Sequence, residues 1–350
     1  MHYDITEQHD STGDVAPTRR ALLRGAALGA VAAAAMSLVQ ANAAAAATAE
    51  GHGTGQFPGQ LPGVHTAVDA SHATPAVAEW FVQFFRTKSA QDLEGTMALF
   101  ARRVRYIDAT LGWDLRSWTQ LQEFFAQYMP GWPKDSASYP VRILGDLRSA
   151  VVFFTDTAGL FGPSELRLAG AVDFERGLIA RQVDYWDGRH FGLDNLADAQ
   201  APADQFPAEF GETAVGGTSS VVMRHLVRDL SGALSRGDGT AAARLFSPDA
   251  VFEDAPAHIR IEGSRSIGTY LTDTVGLLPY TGVGTAIRHV LGNQLGGGFE
   301  FTASQGPVPR GIVGLELDRW QKISRLTAMW DGSLMDDATL LSLAERAIER

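Results

Sequence analysis

The feature that most restricts how this chain can fold is that it contains itself twice. At a constant offset of 146, Leu99-Phe100 falls on Leu245-Phe246 and Asp108-Ala109 on Asp254-Ala255. The same offset lays "SWTQLQEFF" over "GSRSIGTYL". Further on, with shifts of one or two residues, Arg142 meets Arg288, Gly145 meets Gly292, Phe154-Thr155 meet Phe301-Thr302, and Trp186-Asp187-Gly188 meet Trp330-Asp331-Gly332. A unit of about 120 residues is too long for a solenoid repeat and long enough for a domain. Whatever fold the chain adopts must therefore be one that a unit of this size completes, and it must be made twice.

Each unit orders its elements in the same way. Val77, Trp80, Phe81, Phe84 and Phe85 form a helical stripe. Ser89-x-x-Asp92 reads as the start of a second helix carrying Leu93, Met97 and Phe100, and Ser117-x-x-Gln120 as the start of a third carrying Leu121, Phe124 and Phe125. "VRYID" between them is a strand, and "YPVRIL", "AVVFFT", "LRLAGAVDF" and "LIARQVDYW" follow, the last two joined by the hairpin turn "ERG". Helices followed by an antiparallel meander predict an α+β class. The expected bounds are 76–194 for the first unit, 195–219 for a Pro/Ala/Gly-rich linker, and 220–350 for the second unit.

Ahead of the repeat, Arg19-Arg20 precede an Ala/Gly-rich apolar run, and Ala41-Asn42-Ala43 offers a small-x-small cleavage site. "TRRALLR" resembles a twin-arginine (Tat) signal. Residues 1–43 are expected to be a cleaved export signal, leaving a periplasmic or extracellular protein that no membrane span retains, and residues 44–75 a flexible leader. A formal charge of −11 with no basic cluster argues against nucleic acid and anionic membrane surfaces as partners. The absence of cysteine removes disulfides, thiolate metal sites and thiol nucleophiles together. No phosphate-binding glycine loop, nucleophile elbow or zinc motif is present, so neither a cofactor nor a metal is expected.

The helix ending in "LF", the "DAVFEDAP" strand, "AVDF" and "LELDRW", and the "YWDG" or "MWDG" ending resemble the nuclear-transport-factor-2-like (NTF2-like) superfamily, in particular its SnoaL-like and ketosteroid-isomerase-like members. The resemblance implies two tandem cone-shaped domains, each of three helices on a curved sheet around one apolar pocket. It also implies that Asp108 and Asp254 are general bases, with Asp173 and Asp318 as protonated acids facing the same cavities. An Asp in an apolar pocket has its charged form disfavoured, and its pKa rises toward a range useful for proton exchange; ketosteroid isomerase is itself a standard illustration of this tuning. An Asp at a strand end can equally well close a turn.

Tyr106 and Trp113 flank Asp108, Trp186 ends the last strand, and these three with His190 are the candidate substrate contacts, suited to a flat apolar ligand. Asp187-Gly188 and Asp331-Gly332 read as turns. The tyrosine of the isomerase oxyanion hole corresponds to Phe84 and Leu230, which argues against steroid isomerisation by that constellation. The reading is an exported enzyme performing cofactor-free acid–base chemistry on an apolar polyketide- or terpenoid-like molecule: cyclisation, isomerisation or epoxide opening. The alternative is a non-catalytic ligand-binding or assembly protein. In both, the units pair as an intramolecular pseudo-dimer, with a homodimer open beyond that.

Overall fold

The computed structural model describes residues 67–202 and 218–348. The expected export signal, residues 44–66 of the leader and residues 203–217 of the linker lie outside the described residues.

The first unit runs β1 (Asp69–Ala73), α1 (Pro75–Ser89), α2 (Leu93–Met97), β2 (Phe100–Asp108), β3 (Trp113–Leu115), α3 (Trp118–Tyr128), β4 (Ser138–Gly145), β5 (Ser149–Asp156), β6 (Leu166–Glu175), β7 (Leu178–Trp186), the 3-10 turn Gly188–Phe191 and α4 (Leu193–Ala199). The second repeats the core of this order: α5 (Val221–Ser235), α6 (Gly239–Ala243), β8 (Phe246–Asp254), β9 (Ile259–Glu262), α7 (Ser264–Asp273), β10 (Thr285–Gly292), β11 (Gly296–Ala303), β12 (Arg310–Leu317), β13 (Ile323–Trp330) and α8 (Asp337–Ile348). This is the expected α+β class made twice. Two bounds move: the end of the leader is β1, paired in parallel with β4, and the start of the linker is helical as α4.

Local chemistry explains the elements. Pro75 opens α1, whose apolar stripe of Val77, Phe81, Phe84 and Phe85 is buried. Asp92, not Ser89, caps α2 by accepting from the Gly95 N–H, so that helix is a short one and Phe100 begins a strand instead of ending a helix. Ser117 accepts from the Gln120 N–H while Gln120 Oε1 accepts from the Arg116 N–H, a near-reciprocal cap for α3. Arg176 and Gly177, both at positive φ, make the β6–β7 turn.

The sheets have the orders β1-β4-β5-β6-β7-β2-β3 and β10-β11-β12-β13-β8-β9. Within each, the meander is antiparallel and the strand that ends on the repeated Asp joins in parallel, with Asp108 opposite Asp184 and Asp254 opposite Ala328. Strand alternation then divides the residues between two faces. Tyr106, Asp108, Asp184 and Trp186 look toward the helices of the first unit, whereas Ile107, Val183 and Tyr185 look away.

The away-facing residues, with Val151, Phe153 and Ala171, pack against Leu291, Ile312 and Met329, so the two sheets bury each other. The contact is nearly two-fold. Gly145 accepts from the Thr74 N–H at 2.9 Å and Gly292 from the Ser220 N–H at 2.8 Å. A Cβ added at Gly145 would lie 3.2 Å from Gly292 Cα. Between the sheets sits Glu300, fully enclosed, paired with Arg181 at 2.7 Å and Arg288 at 3.3 Å and accepting from the Tyr185 hydroxyl at 2.5 Å. Burial works to raise the Glu300 pKa, but Arg181 and Arg288 hold it below the usual carboxylate range.

Removing one partner of such a buried pair strands the other charges. Glu300→Ala is expected to cost about 3–5 kcal/mol in urea unfolding, while Glu262→Ala, at an exposed pair with Arg260, changes stability by less than about 1 kcal/mol.

Candidate active site in the first unit

Between the helices and the front of the first sheet lies a cavity of about 100 Å³. Its walls are largely aromatic, including Tyr106, Trp113, Phe124, Tyr128, Trp132 and Trp186, and its polar lining is Asp108, Asp156 and Asp184.

Asp108 sits where β2 ends, and Ala109 onward turns back over it. Its Oδ1 accepts the backbone N–H of Thr110 at 3.0 Å and of Leu111 at 2.8 Å, and the Trp186 indole N–H reaches both oxygens at 3.0 and 3.1 Å. The turn-closing and pocket readings of this residue are therefore both true of one carboxyl. Burial pushes its pKa up to about 7; the bonds from Leu111, Trp186 and Thr110 oppose that, and the charge of Asp184 adds to it.

Asp184 lies across the β2–β7 pairing. It accepts from the Tyr106 hydroxyl at 2.7 Å and from Gln182 Nε2 at 2.9 and 3.1 Å. Burial raises it to about 6 against those bonds. The opposite residue on β6 is Gly170, where an added Cβ would come within 3.0 Å of Asp184 Oδ1, so the glycine makes room for the carboxylate. Asp156 differs in having a cation: Lys88 Nζ donates to both its oxygens at 3.1 and 3.3 Å, and Ser138 Oγ donates to Oδ1. The ammonium also lies 5.3 Å from the ring centres of Phe154 and Phe161.

Tyr106, Trp113 and Trp186 thus share the cavity with Asp108; Asp254 belongs to the second unit, and three further candidates lie elsewhere. Asp173 faces the second unit, accepting from His289 Nε2 at 2.8 Å and Thr218 Oγ1 at 2.8 Å, with Arg181 at 3.6 Å. Burial would raise its pKa, yet His289 and Arg181 hold it below the usual range. It is an ionised interface carboxylate, not a protonated acid. Asp318 accepts the Trp320 and Lys322 backbone N–H groups in the β12–β13 turn, and is partly exposed. His190 lies on a separate cleft between the units, its ring 6.2 Å from that of His258. Asp187 and Asp331 cap 3-10 turns by accepting from Arg189 and Ser333.

Asp184, Asp156 and Lys88 were not singled out in the sequence. The signal that finds them is the set of positions where the copies disagree. Lys88 corresponds to Leu234, Tyr106 to Phe252, Trp113 to Ile259, Asp156 to Ala303 and Asp184 to Ala328. Of the polar cavity lining only the Asp108–Trp186 pair persists, as Asp254–Trp330, at 3.1 Å. Asp254 is fully enclosed, is raised by burial to about 6, and accepts a further bond from the Tyr280 hydroxyl at 2.8 Å. The second unit therefore folds without a polar quartet that the first unit keeps at the desolvation cost of burying it.

No family model and no curated protein matches this chain. Solved structures do. A steroid delta-isomerase from Pseudomonas aeruginosa is 22% identical over 37% of this chain and 92% of its own, with a TM-score of 0.29. An NTF2-like protein of unknown function from Burkholderia xenovorans is 12% identical over 32% and 82%, at 0.28. A protein with a cystatin-like fold from Silicibacter pomeroyi is 14% identical over 37% and 87%, at 0.30. Each spans about a third of the chain, the length of one unit.

Among the described residues no group of three or more His, Cys, Asp or Glu is placed to hold a metal ion. Burial raises both carboxyls toward neutrality, to about 7 and about 6, the range in which a carboxyl can exchange protons.

A raised folded-state pKa stabilises the protein below the unfolded value of about 3.9 and loses that contribution as pH rises through the folded value. Asp108 should therefore make stability fall between about pH 4 and 7, by up to about 1.4 kcal/mol per pH unit. Asp108→Asn should remove that contribution and leave those of Asp184 and Asp254, so that the slope flattens most between about pH 6 and 7, as read from urea unfolding at a series of pH values.

Proposed function

We propose that the first unit is an acid–base enzyme for a small apolar molecule and that the second is its structural partner. Asp108 and Asp184 are the proton-transfer pair, one accepting a proton from substrate carbon or oxygen while the other, protonated, donates to the opposite end. Tyr106 and Gln182 orient Asp184; Trp186 and the Thr110–Leu111 backbone orient Asp108. Lys88 holds Asp156 as a fixed charge beside them. The observation that carries this reading is that both carboxyls line one aromatic cavity and, among the described residues, neither has a cation within ion-pair distance, although the second unit has an alanine in place of Asp184.

Isomerisation and cyclisation need a proton removed at one substrate atom and supplied at another. Epoxide opening needs it taken from an attacking water or substrate hydroxyl, whose oxygen bonds to carbon, and supplied to the epoxide oxygen as its C–O bond breaks. A base and a protonated acid on one cavity suit both. Aromatic walls suit polyketide- or terpenoid-like skeletons. The twin-arginine-like N-terminus supports action outside the cytoplasm, and the sheet-to-sheet packing supports a pseudo-dimer within one chain.

The test is incubation in deuterated water with a panel of cyclic ketones and epoxides, followed by mass spectrometry. Deuterium uptake or ring opening should fall about 10²- to 10⁴-fold in Asp108→Asn and in Asp184→Asn and be unchanged in Asp254→Asn. The rate should follow a bell with limbs near pH 6 and 7. Turnover that survives both first-unit substitutions would remove the pair from the mechanism. Turnover lost only in Asp254→Asn would move the site to the second unit.

A further inference from the structure

The cavity wall holds a donor that the fold leaves without an acceptor. Of the seven tryptophans, five donate their indole N–H within the protein: Trp80 to Gly177 O, Trp113 to Ala199 O, Trp118 to Met97 O, Trp186 to Asp108 and Trp330 to Asp254. Trp320 is 67% exposed, and water serves it. Trp132 is 5% exposed, lines the cavity, and its Nε1 has no partner among the described residues. A buried N–H in that state forfeits its hydration and receives nothing in exchange.

The local fold does not ask for an indole here. Trp132 follows the 3-10 turn Met129–Gly131, its carbonyl accepts from Gln91 Nε2 at 3.1 Å, and its ring meets Phe161 edge-on at 5.3 Å. In the second unit the matching dipeptide is Leu278-Pro279 against Trp132-Pro133, and Leu278 is buried in the core. An aliphatic side chain fills the equivalent place and carries no orphan donor. The neighbouring polar groups of the first cavity are carboxyls that already have donors of their own, so none of them has reason to turn toward Trp132.

We propose that the Trp132 N–H is kept for the ligand, donating to an oxygen on an otherwise apolar molecule: a carbonyl, epoxide or hydroxyl. This rests on the reading of the cavity as a substrate site and adds the orientation, with the oxygen at Trp132 and the carbon skeleton toward Asp108 and Asp184. A cavity of about 100 Å³ is smaller than the roughly 300 Å³ at which small-molecule sites begin, so the ligands that test it are small ones.

The experiment compares cyclohexanone with methylenecyclohexane, which has the same shape without the oxygen, binding to wild type and to Trp132→Phe by NMR titration. Trp132→Phe should weaken cyclohexanone roughly tenfold, leave methylenecyclohexane within about twofold, and leave urea stability unchanged or raised, because only an unpaired donor is lost. Equal weakening of both probes would make Trp132 a packing residue and overturn the assignment, as would no effect on either. Failure of both probes to bind wild type would sink the cavity reading along with it, so the two failures are told apart. Should Trp132→Phe not fold, Trp132→Leu, the residue of the second copy, takes its place.

Discussion

Two sheets that cover each other's backs set the terms for the rest of the molecule. A half-buried sheet alternates between a dry and a wet face, and its polar side chains find water on the wet one. Here the C-terminal ends of β2 and β7 have no wet face: Ile107, Val183 and Tyr185 are buried against the second unit, and Tyr106, Asp108, Asp184 and Trp186 are covered by helices and aromatic walls. A carboxyl placed on such a strand has only the protein to satisfy it. That is why burial is the leading cause of the shifts at Asp108 and Asp184, and why every oxygen there is met by an indole, hydroxyl, amide or backbone donor.

The same layering explains why equally buried acids behave in opposite ways. Asp173 and Glu300 lie between the units, where Arg181, Arg288 and His289 converge, and both are held ionised. Asp108 and Asp184 lie on the helix side, where the Lys88 ammonium pairs with Asp156 through both oxygens. Acids at the interface have cations beside them and are shifted down; Asp108 and Asp184 have none within ion-pair distance among the described residues and are shifted up. Charge balance, more than burial, sets the direction in which a buried carboxyl shifts in this protein.

How much of this could be read from the sequence depended on whether a feature occurs twice. The duplication exposed the α+β units and Asp108, because a residue kept at a strand end in both copies stands out. Asp184 and Trp132 occur in one copy only, and a search for likeness discards Ala328 and Leu278 as mismatches, though those differences fall on the cavity lining. Asp173 and Asp318 were misplaced because alternation tells which residues share a face but not which face meets the helices and which meets the partner sheet. Asp318 lies one residue past β12, where alternation no longer applies. The strand at Asp69–Ala73 was hidden by its Gly- and Pro-rich approach, since its pairing with β4 is made with a segment about 70 residues away.

The near two-fold contact at Gly145 and Gly292 has a consequence for how such a protein can change. In a pair of identical chains every substitution is made twice, so a change that fills one cavity fills both. Joining the halves in a single chain removes that obligation. One half can carry alanine, as at Ala303 and Ala328, where the other keeps the buried carboxyls Asp156 and Asp184. That asymmetry is one that only a fused chain can inherit.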